Sequence, residues 1–80
     1  TFVCLAACKE AMRRGGVYPA IVNGANEQAV AFFLKGKIRF LDIGRLVMDS
    51  LKLQYDKEDF GISDILAADR MARDFVCASV

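Results

Sequence analysis

The residues best placed to do chemistry in this chain of 80 residues lie in one run, Asn23-Gly24-Ala25-Asn26-Glu27. Two amides and a carboxylate at the start of a helix would form a small polar pocket. The unpaired N–H groups of a helix N-terminus favour an anion in such a place. The same residues also have a structural use. Asn23 can cap a helix, while Asn26 and Glu27 can satisfy the backbone groups of a neighbouring connector. Capping is far the commoner employment of these residue types, so the structural role is expected.

Other groups offer less. Cys4 and Cys8 stand four apart on one helical face, but the chain has three cysteines and no histidine, too few for a four-ligand zinc site. The odd count also argues against a closed disulfide framework. Both thiols read as small buried hydrophobes. The acids Asp56, Glu58 and Asp59 lack the glycine and distal glutamate of a calcium loop. Neither G-x-G-x-x-G nor G-x-x-x-x-G-K-S/T occurs, so no local motif holds a nucleotide. Ser50, Ser63 and Ser79 have no histidine to activate them. Asp69 and Arg73, four apart, suit an ion pair on the last helix, with Asp69 partly buried.

Eleven basic and ten acidic residues leave a net charge of +1, without the basic excess that nucleic-acid binding requires. No run approaches the ~18 apolar residues of a membrane span. Hydrophobic residues make up 55% of the chain, enough for a dense core and some surplus surface to cover. The chain opens at Thr1, at the edge of what reads as a helix, which suggests a processed or cut fragment.

The elements that must position these residues are all helical. The first spans 2–14, with Leu5, Cys8 and Met12 as its inner stripe, and Gly15-Gly16 ends it. Residues 17–22 read as a connector, in which Pro19 biases Tyr18 to an extended shape, and Asn23 then caps the second helix, which Gly36 stops. Ile38, Phe40 and Leu41 form an apolar plug. Asp42 caps a third helix over 43–53 carrying Ile43, Leu46, Val47, Ser50 and Leu51 inward. A polar loop over 55–62 follows, and Ser63 or Asp64 caps a fourth helix to about residue 77. Its inner stripe is Ile65, Ala68, Ala72, Phe75 and Val76. The expected fold is all-α, a small four-helix bundle with short connections.

The order of these residues resembles a known family. Gly15-Gly16, Pro19-Ala20, Asn23 to Glu27, Ala29-Val30 and Phe33-Leu34 are similar to the pattern GG…PA..NAANE.AV..FL. Gly36, Ile38, Phe40 and Asp42-Ile43 continue it, and Asp64-Ile65-Leu66, Asp69 and Ala72-Arg73 resemble its closing DIL..D..AR. This is the C-terminal region of the 1-deoxy-D-xylulose 5-phosphate reductoisomerases. Gly24 stands where the family usually has alanine.

The resemblance implies that residues 1–80 are the C-terminal helical domain of a larger enzyme of isoprenoid precursor synthesis. That enzyme converts 1-deoxy-D-xylulose 5-phosphate to 2-C-methyl-D-erythritol 4-phosphate with NADPH and Mg2+ or Mn2+. Its catalytic, cofactor and metal residues belong to the N-terminal and central domains, and the intact protein is usually a homodimer. For this piece it implies no cofactor, no metal and no catalytic residue. Asn23, Asn26, Glu27, Asp42 and Asp69 are expected to be structural, and the partners to be the other domains rather than nucleic acid or membrane. The compartment would be cytoplasmic in a bacterium, plastid or apicoplast in a eukaryote. The competing readings are an independent helical interaction module and a metal or redox module built on Cys4 and Cys8.

Overall fold

A computed structural model describes residues 2–53 and 61–80, with side chains from Leu5 onward in the first segment. The loop acids Asp56, Glu58 and Asp59 and the Cys4 side chain lie outside the described residues. Four helices follow in order: α1 (Phe2–Arg14), α2 (Tyr18–Leu34), α3 (Phe40–Ser50) and α4 (Ile62–Ser79). The fold is all-α, as the periodicity indicates.

The helix ends follow from glycine. Gly15 and Gly16 take φ values of 70° and 60°, left-handed backbone that a side chain would strain. Gly36 takes φ 74° after α2, where its N–H bonds to Phe33 O and that of Lys37 to Phe32 O, both at 2.9 Å. These two bonds recover carbonyls that the helix end leaves without partners.

The helix starts differ from the sequence expectation. Residues 17–22 are not an extended connector, and Asn23 is not a cap. The glycine pair turns the chain so tightly that α2 begins at Tyr18, with Val17 before it and Pro19 in its first turn. Proline suits that turn, because the N–H it lacks would have no helical partner there. Asn23 therefore lies within α2, exposed.

Asp42 is likewise the third residue of α3 and not its cap. Arg39 is the extended residue ahead of the helix, and its N–H donates to Asp42 Oδ2 at 2.9 Å. The guanidinium has no acceptor to return the bond, so only half of a capping box forms. That hydrogen bond, foremost, holds the Asp42 carboxyl below its usual range. At α4 the flanking residue is Gly61, not Ser63 or Asp64, and Asp64 Oδ2 accepts its N–H at 2.9 Å from within the first turn.

α2 is the central element. It packs on α1, α3 and α4, whereas α1 and α4 make no contact among the described residues. The core is thin and alanine-rich: Ala7, Ala11, Ala25, Ala29, Ala68 and Ala72 are buried, with Ile21, Leu46, Val47 and Val76 as its larger members. The α3 stripe is buried as expected. Ser50 is enclosed with it, and its hydroxyl donates to Val47 O at 2.6 Å. The α1 stripe is not. Leu5, Cys8 and Met12 are exposed, and Ala7 and Ala11 face inward instead. Phe40 and Leu41 form the first turn of α3 and are exposed too, so they do not plug the bundle.

One polar clip joins three helices at one end. Arg14 Nη1 donates to Leu51 O, a carbonyl at the end of α3, at 2.7 Å. Its Nε donates to Glu10 Oε2 at 2.8 Å, and its guanidinium lies 5.1 Å from the centre of the Tyr18 ring. Hydrogen bonds from Arg13 and then Arg14 pull the Glu10 carboxyl down from 4.5 to about 2. A carboxylate so depressed contributes stability above its unfolded value near 4.5, and the contribution fades as pH falls toward 2. Glu10→Gln should therefore lower the urea midpoint at pH 7. The deficit should shrink below pH 4.5 and in high salt, as exposed charges require. A deficit that is constant from pH 7 to pH 2.5 would show that the ion pair is not its source.

Candidate functional site

The Asn23–Glu27 run sits where α2 crosses α4. Gly24 and Ala25 point into the bundle and are buried. Gly24 is there for space: a Cβ on it would lie 2.8 Å from Asp69 O and 2.6 Å from Asp69 Oδ1. Here α2 and α4 lie too close for a side chain at position 24 without a shift of Asp69.

On the flank of this crossing Arg73 joins the two helices. Its Nε donates to Asp69 Oδ2 at 2.9 Å, and its Nη2 donates to Glu27 Oε2. The expected pair of Asp69 and Arg73 is present, with Asp69 half-buried, and Glu27 is added to it from α2. Glu27 thus ties α2 to α4. The connector it was expected to hold does not exist.

Asn23 and Asn26 turn the other way, toward the gap between α1 and α4. Asn23 is exposed and Asn26 half-buried. A groove of about 290 Å³ runs between α1 and α2, lined by Cys8, Met12, Pro19, Val22 and Asn26, with Val47 at its floor. A second and more open one, of about 580 Å³, lies between the start of α2 and α4, against Ala20, Ile65, Leu66 and Asp69. Pro19 and Asn23 line both, as the ridge between them.

The sequence reading singled out Asn23, Asn26, Glu27, Asp42 and Asp69. The structure brings four of them to the α2–α4 region, and leaves Asp42 on α3. Cys8, Met12, Pro19 and Leu66 were missed as members of an outward face. The signal was present in the Leu5–Cys8–Met12 stripe, which was assigned to the core.

Among the described residues, neither groove is lined by a lysine or arginine, and no group of three or more His, Cys, Asp or Glu could hold a metal ion. No described helix is long and apolar enough to cross a membrane.

The family model for the DXP reductoisomerase C-terminal domain matches residues 1–75. The chain belongs to the DXP reductoisomerase C-terminal domain family. Among curated relatives, the 1-deoxy-D-xylulose 5-phosphate reductoisomerase of Clostridium botulinum is 42% identical over 76 residues, covering 95% of this chain and 20% of that protein. The enzyme of the same name from Chloroherpeton thalassium is 44% identical over 75 residues, covering 94% of this chain and 19% of its own. This reductoisomerase domain therefore spans about a fifth of the length of the relatives it matches. No solved structure matches it.

Two substitutions separate the forces at the crossing. Gly24→Ala gains about 1 kcal/mol of helix propensity. It also overpacks a contact with backbone, which costs typically 1–3 kcal/mol and allows no rotamer escape. A net loss of about 1 kcal/mol is expected by urea unfolding. Arg73→Ala removes two partly exposed ion pairs, to Asp69 and to Glu27, and should cost about 1 kcal/mol or less. A Gly24→Ala chain as stable as the parent would mean that α4 can slide away freely, and the close-approach argument would fail.

Proposed function

We propose that this domain braces the catalytic body of a 1-deoxy-D-xylulose 5-phosphate reductoisomerase, and that residues 1–80 are one structural unit of it. The parent enzyme would convert 1-deoxy-D-xylulose 5-phosphate to 2-C-methyl-D-erythritol 4-phosphate as a homodimer. NADPH and the Mg2+ or Mn2+ ion would be held by its N-terminal and central domains, which are the partners of this one. The compartment would be the bacterial cytoplasm, or the plastid or apicoplast of a eukaryote.

The observation that carries this reading is the family match across residues 1–75, in relatives whose remaining four-fifths this chain does not include. The donor set supports the division of labour. Among the described residues the grooves present mainly apolar side chains and amides, with no cation to meet the phosphates of NADPH. The titratable groups beside them are tied up, since Arg73 is shared between Asp69 and Glu27. In this reading Glu27, Asp42 and Asp69 hold helices together or close their ends, and Asn23 and Asn26 meet the neighbouring domain.

An independent interaction module is the alternative, and the exposed apolar side chains around Asn23 suit it too. The two readings part on one comparison. The 80-residue chain alone should give no NADPH oxidation with 1-deoxy-D-xylulose 5-phosphate and metal. The full-length reductoisomerase should lose thermal stability and turnover when the domain is deleted. A deletion that leaves both unchanged would refute the bracing role.

A further inference from the structure

The helices carry apolar stripes that nothing in the described chain covers. On α1, Leu5, Cys8 and Met12 follow the i, i+3, i+7 spacing of a buried face, yet Leu5 is 54% and Met12 72% exposed. On α4, Leu66 is 65% exposed, and Ile62, one turn earlier, 78%. Both stripes border the same gap, because α1 and α4 do not touch and the outer side of α2 is left between them. The two grooves fill that gap, on either side of the Pro19–Asn23 ridge.

We propose that this α1–α2–α4 face is the surface on which the rest of the reductoisomerase polypeptide packs, burying Cys8, Met12 and Leu66. The inference rests on the bracing role and adds the place where it is exerted. Three observations select this occupant. The relatives devote about four-fifths of their length to other parts of the same chain. A tethered partner of that size is present at high effective concentration and needs no separate recognition. Among the described residues the groove linings carry no lysine or arginine, and the acid they include, Asp69, is already paired with Arg73. Such a surface resembles the charge-depleted centre of a permanent interface more than the rim of a transient one. Finally, the amides of Asn23 and Asn26 make no hydrogen bond among the described residues, and each offers two donors and an acceptor to an incoming backbone. The apolar tip at Leu34, Phe40 and Leu41 suits such a partner less, because Lys35, Lys37 and Arg39 crowd it.

Cys8 and Cys77 make the test internal. Both are exposed in this chain, but only Cys8 lines the groove. Native alkylation with iodoacetamide, read thiol by thiol by peptide mass spectrometry, should modify both in the 80-residue chain. In the full-length reductoisomerase Cys8 should slow by about tenfold or more, as a group that reacts only through rare opening does, while Cys77 keeps its rate. Met12→Glu should leave the melting temperature of the 80-residue chain unchanged, because its site is open there, and should restore Cys8 alkylation in the full-length protein. Equal Cys8 rates in the two proteins overturn the assignment, as does an equal slowing of Cys77. Concentration-dependent protection of Cys8 in the 80-residue chain, with doubled mass, would make a second copy the occupant and also overturn it. The bracing role has its own readout in the domain deletion, so a free Cys8 in an enzyme that still needs the domain would move the surface and leave the role standing.

Discussion

The crossing of α2 over α4 at Gly24 is the constraint from which the rest of the arrangement follows. A helix that is thin on one side can bring its backbone against a neighbour, and Gly24, Ala25 and Ala29 make α2 thin along its buried side. α4 answers with Ala68 and Ala72. Two helices held this closely gain dispersion contacts along their whole length, and the spacing tolerates no added methyl group at the crossing. α2 can then serve three neighbours at once. The Arg73 bridge and the Arg14 clip fasten the edges of an arrangement that small residues have already set.

A core of small side chains leaves the large ones outside. Interior space in a chain of 80 residues is limited, and here much of it is filled by backbone drawn close together. Leu5, Met12, Leu34, Leu41, Ile62 and Leu66 are all more than half exposed. Single exposed apolar residues are ordinary, but aligned stripes bordering one gap are a feature of shape. Small residues inside and large apolar ones outside are thus two sides of one design, in which helix spacing is decided within the domain and part of the apolar surface is left for a neighbour.

These facts explain which features could be read from the sequence. Helix ends were legible, because Gly15-Gly16 and Gly36 supply a backbone conformation that other residues resist. Helix starts were not. An acid at the third helical position and an acid at the cap serve the same end from opposite sides, so Asp42 and Asp64 were each placed a few residues from their true position. Pro19 reads as a breaker in a sequence and as a helix starter in a structure, and only the tight glycine turn before it decides between them. The α3 stripe was legible because it has one neighbour-facing side. The α1 stripe was misread because periodicity finds an apolar face without saying what covers it. Family membership survived these errors, since it depends on residue order over a long block and not on where each helix begins.

The ionic groups bear on whether the domain holds chemistry of its own. Catalytic acids and bases need pKa values near the working pH, and burial or like charge moves them there. The largest shift here runs the other way. Glu10 lies half-buried between Arg13 and Arg14, which take its carboxyl to about 2, so it stays ionised near neutral pH. Arg73 is raised by Asp69 and then Glu27, and becomes a still firmer cation. Asp42 is lowered by the backbone N–H of Arg39. Each of these shifts makes a charge more permanent. Groups whose charge state is fixed suit the ends and edges of helices, where a constant partner is needed, and they have no proton to exchange during a reaction cycle. The resolved shifts at Glu10, Asp42 and Arg73 are thus those of groups that fasten helix ends and edges, which is the part the bracing proposal asks of them.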